Sequence, residues 1–140
     1  MKKLLLVFTA FSFLFLNAYA QTDAEKKQIE TSVSSIFDFA SKQNADEIAK
    51  FIVYQGNDAA RNLKDTYNVK QPKEMGAVQR LSKKVKAFLD LSESYQITGY
   101  SQKTAPEGTT NIVEINFNSG KQSLKTKFSF LQVGGKYLLL

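Results

Sequence analysis

The sequence contains no cysteine, no histidine and no tryptophan among its 140 residues. Without cysteine there can be no disulfide, no thiolate nucleophile and no thiolate zinc site. Without histidine there can be no Ser-His-Asp triad. No Gly-rich phosphate-binding motif occurs, and the aspartates lack the spacing of a calcium loop. These absences exclude many enzyme and metalloprotein classes, and we predict neither a cofactor nor a metal site.

Proline and glycine are also scarce, with 2 and 7 residues respectively, whereas 43% of the chain is hydrophobic and 23% is charged. Disordered and fibrous proteins have the opposite balance, so this composition predicts a folded protein. The length suits one hydrophobic core and is too short for two ordinary domains.

The first 20 residues have the pattern of a secretory signal peptide. Lys2 and Lys3 precede an apolar run from Leu4 to Leu16, and Ala18-Tyr19-Ala20 fits a small-residue cleavage site. The run is shorter than the ~20 residues of a membrane-spanning helix. We therefore predict a signal peptide over 1–20, a single domain over 21–140, export to the periplasm or the extracellular space, and no stable membrane insertion after cleavage.

The mature chain begins with helical patterns. Thr22 and Glu25 have the spacing of a capping box. The apolar residues behind them recur with helical period, at Ile29, Val33, Ile36, Phe37 and Ala40. A second cap at Asn44 predicts a shorter helix that Gly56 ends in a left-handed conformation, and a third short helix is predicted over 58–67. A long amphipathic helix is predicted from about Glu74 to Ser92.

After Tyr95 the period changes to two, which is typical of strands. Turn signals at 105–108, 118–120 and 134–135 divide this half into four strands. Four strands joined by short turns predict an antiparallel meander with one buried face, which the helices must cover. The expected fold class is α+β, with N-terminal helices packed on a curved antiparallel sheet in a two-layer sandwich.

This layout, which ends in a hairpin Phe128-Ser129-Phe130-Leu131-Gln132-Val133-Gly134-Gly135-Lys136-Tyr137-Leu138, resembles the nuclear-transport-factor-two-like (cystatin-like) superfamily. Within it, the chain is similar to small exported bacterial domains of unknown function. The resemblance covers nearly all of residues 24–140 and implies a cone-shaped sheet. The superfamily includes enzymes, binding modules and interaction domains, so the resemblance does not decide between these functions.

Three residues are candidates for a ligand site. Asp38 lies between Phe37 and Phe39, where an apolar environment could raise the pKa of a carboxyl, although the helical pattern also fits a solvated side chain. Tyr54 and Tyr100 could each donate a hydrogen bond to a ligand or simply cap the core. Gly99 permits a β-bulge that would reorient Tyr100.

The densest group of basic residues consists of Arg80, Lys83, Lys84 and Lys86 on the predicted long helix. Such a patch could bind an anionic envelope surface, or it could be a solvated helix face. Nucleic-acid binding would require exposed aromatic residues among the basic ones, and exported proteins rarely meet nucleic acid, so no nucleic-acid partner is predicted.

The leading hypothesis is an exported, non-enzymatic binding or interaction domain, whose partner is a small molecule or an envelope protein. One alternative is a cone-fold enzyme that performs proton transfer or hydration with Tyr100 and Asp38. Another is an envelope-associated protein that uses its basic helix. The sequence also leaves homodimer formation as an alternative. The many Phe side chains predict a packed interior with a small cleft near Tyr54 and Tyr100, whereas a cavity against Phe128 would indicate a ligand chamber.

The signal peptide yields the first prediction. Exported protein should have its N-terminus at Gln21, because cleavage follows Ala20 in the small-residue pattern. Intact-mass measurement of the protein recovered outside the cytoplasm checks this. A membrane-embedded product that retains Met1 would contradict the assignment.

Overall fold

The computed structural model describes residues 21–106 and 108–140, so the predicted signal peptide lies outside the described residues. Helices pack against an open four-stranded antiparallel sheet, which makes a two-layer α+β arrangement and confirms the expected fold class. The elements, in chain order, are α1 (Asp23–Ser41), α2 (Ala45–Ala49), α3 (Pro72–Asp90), β1 (Ser94–Ala105), β2 (Gly108–Ser119), β3 (Gln122–Val133) and β4 (Lys136–Leu139).

The first and last helices begin where local chemistry favours a helix start. The Thr22 N–H donates to the Glu25 carboxylate at 2.7 Å, and the Glu25 N–H donates to the Thr22 hydroxyl at 3.2 Å, which confirms the capping box. Helix α3 begins at Pro72, two residues before the predicted Glu74. Proline suits the first helical turn, because its missing N–H would have no partner there.

The sheet follows the predicted meander, with strand order β1-β2-β3-β4 and every neighbouring pair antiparallel. The three connections fall at the predicted turn signals, although Glu107 of the first one is not among the described residues. Gly120, Gly134 and Gly135 have positive φ in the two later turns. Other residue types rarely adopt that conformation, so these glycines fix the two hairpins.

A β-bulge in β1 decides where Tyr100 lies. Ile97 pairs with Ile115 and Gly99 pairs with Glu114, so Thr98 is an extra residue in the strand. Uninterrupted alternation from Ile97 would place Tyr100 on the outer face of the sheet. The extra residue moves Tyr100 to the inner face opposite the buried Val113, as expected from Gly99.

The core lies between α1 and the inner face of the sheet. Phe37 of α1 is its aromatic centre, because its ring lies 4.8 Å from Tyr95, 5.7 Å from Phe117 and 5.6 Å from Phe128, measured between ring centroids. Phe88 of α3 stacks on Phe117 at 5.3 Å. Aromatic pairs at such distances add to the stability gained from burial.

The chain between α2 and α3 differs from the predictions. Helix α2 ends at Ala49, and Gly56 has no positive φ, so Gly56 does not cap that helix. The predicted helix over 58–67 is also wrong. The segment forms turns instead, and Leu63 adopts a φ of 59° with its side chain packed toward Val53 and Leu131. A left-handed residue costs about 1–2 kcal/mol, and burial of Leu63 can offset it.

Residues 51–53 lie alongside β4, at the edge of this strand that faces away from β3. The Leu139 N–H donates to the Phe51 carbonyl at 2.7 Å, and the Val53 N–H donates to the Leu139 carbonyl at 2.9 Å. This forms a parallel bridge between Ile52 and Leu139. The segment therefore satisfies the backbone of β4 on the side that faces away from β3.

Two glycine substitutions should test the packing of this region. A Cβ at Gly56 would overlap the hydroxyl and ring atoms of Tyr54, whereas a Cβ at Gly76 in α3 would meet only the end of Arg80 at 3.6 Å. We expect Gly56→Ala to lower the free energy of unfolding by about 1–3 kcal/mol. The control Gly76→Ala should raise it by up to about 1 kcal/mol, because alanine favours helix interiors. Urea unfolding measures both changes, and equal stability of the two variants would contradict the packing argument.

Candidate functional site

A groove of about 350 Å³ lies between α3 and the free side of β3. We call it the α3–β3 groove. Leu81, Val85 and Phe88 of α3 form its apolar wall, and Phe128 lies at its base. The remaining lining residues are Gln55, Lys84, Thr126, Lys127, Ser129, Leu139 and Leu140.

The groove lies beside the part of β3 that precedes its pairing with β4. Strand β3 runs from Gln122 to Val133, and β4 pairs with it from Phe130 to Val133. One further hydrogen bond, from the Leu140 N–H to the Ser129 carbonyl at 2.8 Å, extends this pairing. Among the described residues, no strand pairs with this side of β3 over 122–128.

An apolar strip continues from the groove toward the C-terminal end of α3. Leu124 lies on the same face of β3 as Phe128 and is 52% exposed, and Leu91 at the end of α3 is 77% exposed. The Glu93 N–H donates to the Asn118 carbonyl, so the chain after α3 meets the end of β2, which pairs in turn with Ser123 of β3. Exposed apolar residues next to a groove indicate an interaction surface.

The border of the groove is basic. Lys84 is exposed on α3, and it has no ion pair among the described residues. On the outer face of β3, Lys125 and Lys127 lie 3.6 Å and 3.3 Å from the carboxylate of Glu114. Two lysines share one carboxylate there, so this edge of the sheet carries an excess of positive charge.

A second, wider cleft of about 730 Å³ lies beside Tyr54, near the start of α3. Tyr54 and Tyr67 contact each other edge to face at 5.3 Å, and Gly56 and Glu74 also line the cleft. The guanidinium of Arg61 lies 4.3 Å from the centre of the Tyr54 ring, where a cation–π interaction holds both side chains.

Glu74 of α3 connects this helix to the loop that borders the cleft. Its two carboxylate oxygens accept hydrogen bonds from the two terminal nitrogens of Arg61 at 2.8 Å and 3.1 Å, and one also accepts from the Asn68 N–H. Bidentate pairing with arginine is strong and directional. The hydrogen bonds from Arg61 hold the pKa of the Glu74 carboxyl below its ordinary value of 4.5. Because Arg61 and Glu74 satisfy each other's hydrogen-bonding groups, the pair serves chiefly to position the loop between α2 and α3.

The three predicted ligand-site residues lie in different parts of the fold. Tyr54 lines the wider cleft near the start of α3, which does not include Tyr100 as the predicted small cleft would. Tyr100 donates its hydroxyl to the carboxylate of Glu30 on α1, while Lys26 lies 5.7 Å from the centre of its ring. Asp38 is exposed and pairs with Lys42 at 2.7 Å, in the same helix. The structure therefore does not bring Tyr100 and Asp38 into one pocket with Tyr54.

Tyr100 is held by two elements at once. Its partial burial and its hydrogen bond to Glu30 keep the pKa of the hydroxyl well above the ordinary value of 10. Nearby, the amide nitrogens of Gln21 and Gln102 donate to the side-chain carbonyl of Asn111 at 2.6 Å and 2.9 Å. These contacts attach α1 to β1 and β2, and they explain the position of Tyr100 without a ligand.

The basic residues of α3 do share one element, as predicted. Arg80, Lys83 and Lys84 are exposed on it, while Lys86 is half-buried and pairs with Asp90 at 2.7 Å. Of the four, Lys84 is the one that lines the α3–β3 groove.

Sequence analysis does not predict the α3–β3 groove, because its lining comes from α3 and β3, which are far apart in the sequence and share no local motif. The one sequence-based expectation that bears on it is the cavity against Phe128, the alternative to a packed interior.

Comparison with protein-family models and with curated protein sequences found no match to this chain. Within residues 21–106 and 108–140, no helix combines the length and apolar character needed to cross a membrane. The same residues contain no group of three or more histidine, cysteine, aspartate or glutamate side chains arranged to hold a metal ion.

The Arg61–Glu74 pair yields a prediction about acid stability. Because the pKa of Glu74 is lowered in the folded protein, its contribution is present above pH 4.5 and is lost as the pH falls through its folded pKa. In Glu74→Gln this acid-induced loss of stability should be absent. The free energy of unfolding of the variant should therefore depend less steeply on pH below 4.5 than that of the wild type. Urea unfolding at several pH values measures the slopes.

Glu93→Gln is the control, because Glu93 is exposed and has no ion pair among the described residues. Equal slopes for Glu74→Gln and the wild type would contradict a stabilising role of the pair.

Proposed function

We propose that this domain is a non-enzymatic binding or interaction module, and that the α3–β3 groove is its binding site. The supporting observation is an open groove that has an apolar base and wall against Phe128 and Phe88, with Lys84 at its border. Ligand sites are usually concave, mostly apolar and provided with a few polar groups. The exposed Leu91 and Leu124 extend the apolar surface beyond the groove.

The lining residues favour binding over catalysis. The ionisable side chains that line the groove are Lys84 and Lys127, and both residues are exposed. General acid–base catalysis requires a group whose pKa the site adjusts and which reaches the substrate. Tyr100 and Asp38, which were considered for proton transfer, lie outside this groove. The groove therefore offers no support for the enzyme alternative.

We also propose that the domain is exported to the periplasm or the extracellular space, on the basis of the pattern in residues 1–20. The described fold gives indirect support. Gln21 is 8% exposed and hydrogen-bonded to Asn111, and Thr22 caps α1, so cleavage after Ala20 would leave the whole of α1 intact. Membership of the nuclear-transport-factor-two-like superfamily is a proposal that rests on the sequence resemblance, and the α+β fold is consistent with it.

An apolar anionic dye should report on the groove. Anilinonaphthalene sulfonate should bind the folded protein and gain fluorescence, because the groove offers both apolar walls and a lysine. Thr126→Phe should fill the groove from β3 and weaken dye binding by about tenfold, the equivalent of ~1.4 kcal/mol. Fluorescence titration at neutral pH measures the dissociation constant.

Ala77→Phe is the matched control, since Ala77 lines the cleft beside Tyr54. This variant should bind the dye as the wild type does, and thermal unfolding should show that both variants fold. If Ala77→Phe rather than Thr126→Phe removed dye binding, the binding site would be the Tyr54 cleft and the proposal would be wrong.

A further inference from the structure

We infer that the outward face of α3 docks on an anionic lipid surface, with Leu91 inserted among the lipids as an apolar anchor. This face is distinct from the apolar side of α3 that lines the α3–β3 groove, so the inference goes beyond binding at that groove. It rests on the proposed export in one respect, because export would bring the domain to the membranes of the envelope.

A line of exposed residues runs along α3. Its members follow one another at intervals of 7, 4 and 7 residues: Lys73, Arg80, Lys84 and Leu91. These intervals return to the same side of an α-helix, so the four side chains form a line about 27 Å long. The residues that α3 buries lie on a different side of the helix: Val78, Ser82 and Val85. The line therefore faces away from the core.

The cations of this face lack acidic neighbours. Side chains three and four residues apart lie next to each other on a helix. The residues at these distances after Arg80 are Lys83 and Lys84, and those before it are Ala77 and Gly76. Among the described residues, none of the three cations Arg80, Lys83 and Lys84 forms an ion pair. The face therefore keeps its positive charge.

This arrangement costs stability in the free protein, because like charges three or four residues apart destabilise a helix. Helix α1 shows the usual solution, since Lys42 pairs with Asp38 four residues away at 2.7 Å. In α3 both acidic residues are engaged elsewhere, Glu74 with Arg61 and Asp90 with Lys86. A merely solvated helix face is expected to alternate its charges. An anionic surface would relieve the repulsion that α3 retains.

Leu91 indicates which kind of anionic surface fits. A single exposed leucine is common on proteins, but Leu91 is 77% exposed and continues the line of cations, seven residues after Lys84. Helices that bind membrane surfaces combine basic residues with apolar side chains that enter the boundary between headgroups and acyl chains. Nucleic acid would require exposed aromatic residues, and the exposed side chains over 72–91 include none. A flat lipid surface therefore fits this convex face best.

The proposed contact requires no change in the fold. Helix α3 stays attached to the sheet through its other side, where Phe88 stacks on Phe117 at 5.3 Å. Only the side chain of Leu91 would enter the lipid, and the cations would remain among the headgroups. Binding that depends on exposed charges is screened by salt, so the contact should be reversible.

Vesicle sedimentation tests the partner. The protein is one that begins at Gln21, because every helix and strand of the described structure lies beyond that residue. It should bind vesicles of equal parts phosphatidylcholine and phosphatidylglycerol at low salt. Vesicles of phosphatidylcholine alone should bind it at least about tenfold more weakly, and about 0.5 M salt should release it. Equal binding to both kinds of vesicle would overturn the charge argument.

A triple variant tests the cations of α3. Arg80→Gln/Lys83→Gln/Lys84→Gln should lower the partition coefficient about a hundredfold, because each basic residue near an anionic surface contributes about fivefold. The variant should unfold at the same or a higher temperature than the wild type, since it loses like-charge neighbours. A loss of binding without a loss of stability separates a docking role from a structural one.

The matched control removes the same charge from the opposite side of the domain. Lys103, Lys125 and Lys127 are exposed on the outer face of the sheet, which the helices do not cover. Lys103→Gln/Lys125→Gln/Lys127→Gln should bind the anionic vesicles within about threefold of the wild type, since charges far from a surface are screened. Equal losses in the two triple variants would overturn the assignment to α3.

A single tryptophan tests the insertion of Leu91. The sequence contains no tryptophan, so Leu91→Trp introduces a unique fluorophore. Its emission should shift to shorter wavelength on the anionic vesicles, and brominated lipids should quench it. Ser101→Trp is the control, because Ser101 is exposed on the outer face of the sheet, and its emission should not change. Unchanged emission of Leu91→Trp in the bound protein would overturn the anchor.

Leu91→Ser measures what the anchor contributes. It should weaken vesicle binding by about tenfold, because the apolar side chain no longer leaves water. Since Leu91 is mostly exposed in the free protein, its thermal unfolding should match that of the wild type. Unchanged binding of Leu91→Ser would contradict a role for this side chain.

The outcomes separate this inference from the proposed function. If the wild type does not bind the anionic vesicles, the lipid partner is wrong, and the dye titration still decides the groove. Thr126→Phe, which fills the groove, should bind the vesicles as the wild type does. A loss of vesicle binding in Thr126→Phe would place the lipid site in the groove and overturn the assignment to the outward face of α3. A mature N-terminus other than Gln21 would contradict the cleavage site without changing the result with vesicles.

Discussion

The hydrogen bonds on the two sides of β4 organise the end of the sheet. On one side β4 pairs with β3 from Phe130 to Val133, and on the other Leu139 is bonded to Phe51 and Val53. The second set of bonds brings residues 51–53 against the sheet and so determines where the following loop can lie. Leu139 and Leu140, at the end of the same strand, also line the α3–β3 groove. The packed loop and one end of the groove therefore depend on the same strand.

The loop between α2 and α3 shows how tertiary contacts override local preference. Leu63 takes a left-handed conformation so that it reaches the apolar cluster of Val53 and Leu131, and Arg61 is held by Glu74 thirteen residues later. A helix over this segment would keep Leu63 in the right-handed region. The burial of Leu63 and the bidentate Arg61–Glu74 pair outweigh the helical propensity of one further turn.

The elements that the sequence predicts well are those whose determinants are close together in the chain. The capping box of Thr22 and Glu25, the apolar stripe of α3 and the glycine turns are each specified within a few residues, and all of them occur in the structure. Gly99 indicated the bulge for the same reason. The partner of Tyr100 is Glu30, 70 residues away, and the groove is lined by α3 and β3, which are far apart in the sequence. No local pattern encodes either feature.

The lysines of β3 show how charge on the outer face of a sheet affects its behaviour. Lys125 and Lys127 both lie near the carboxylate of Glu114 on the neighbouring strand. Opposite charges on neighbouring strands stabilise their pairing, so Glu114 contributes to the contact between β2 and β3. One carboxylate cannot neutralise two lysines, so a positive excess remains on this face. Lysines that repel one another oppose the stacking of two copies through the same surface, which is useful in a protein without disulfides.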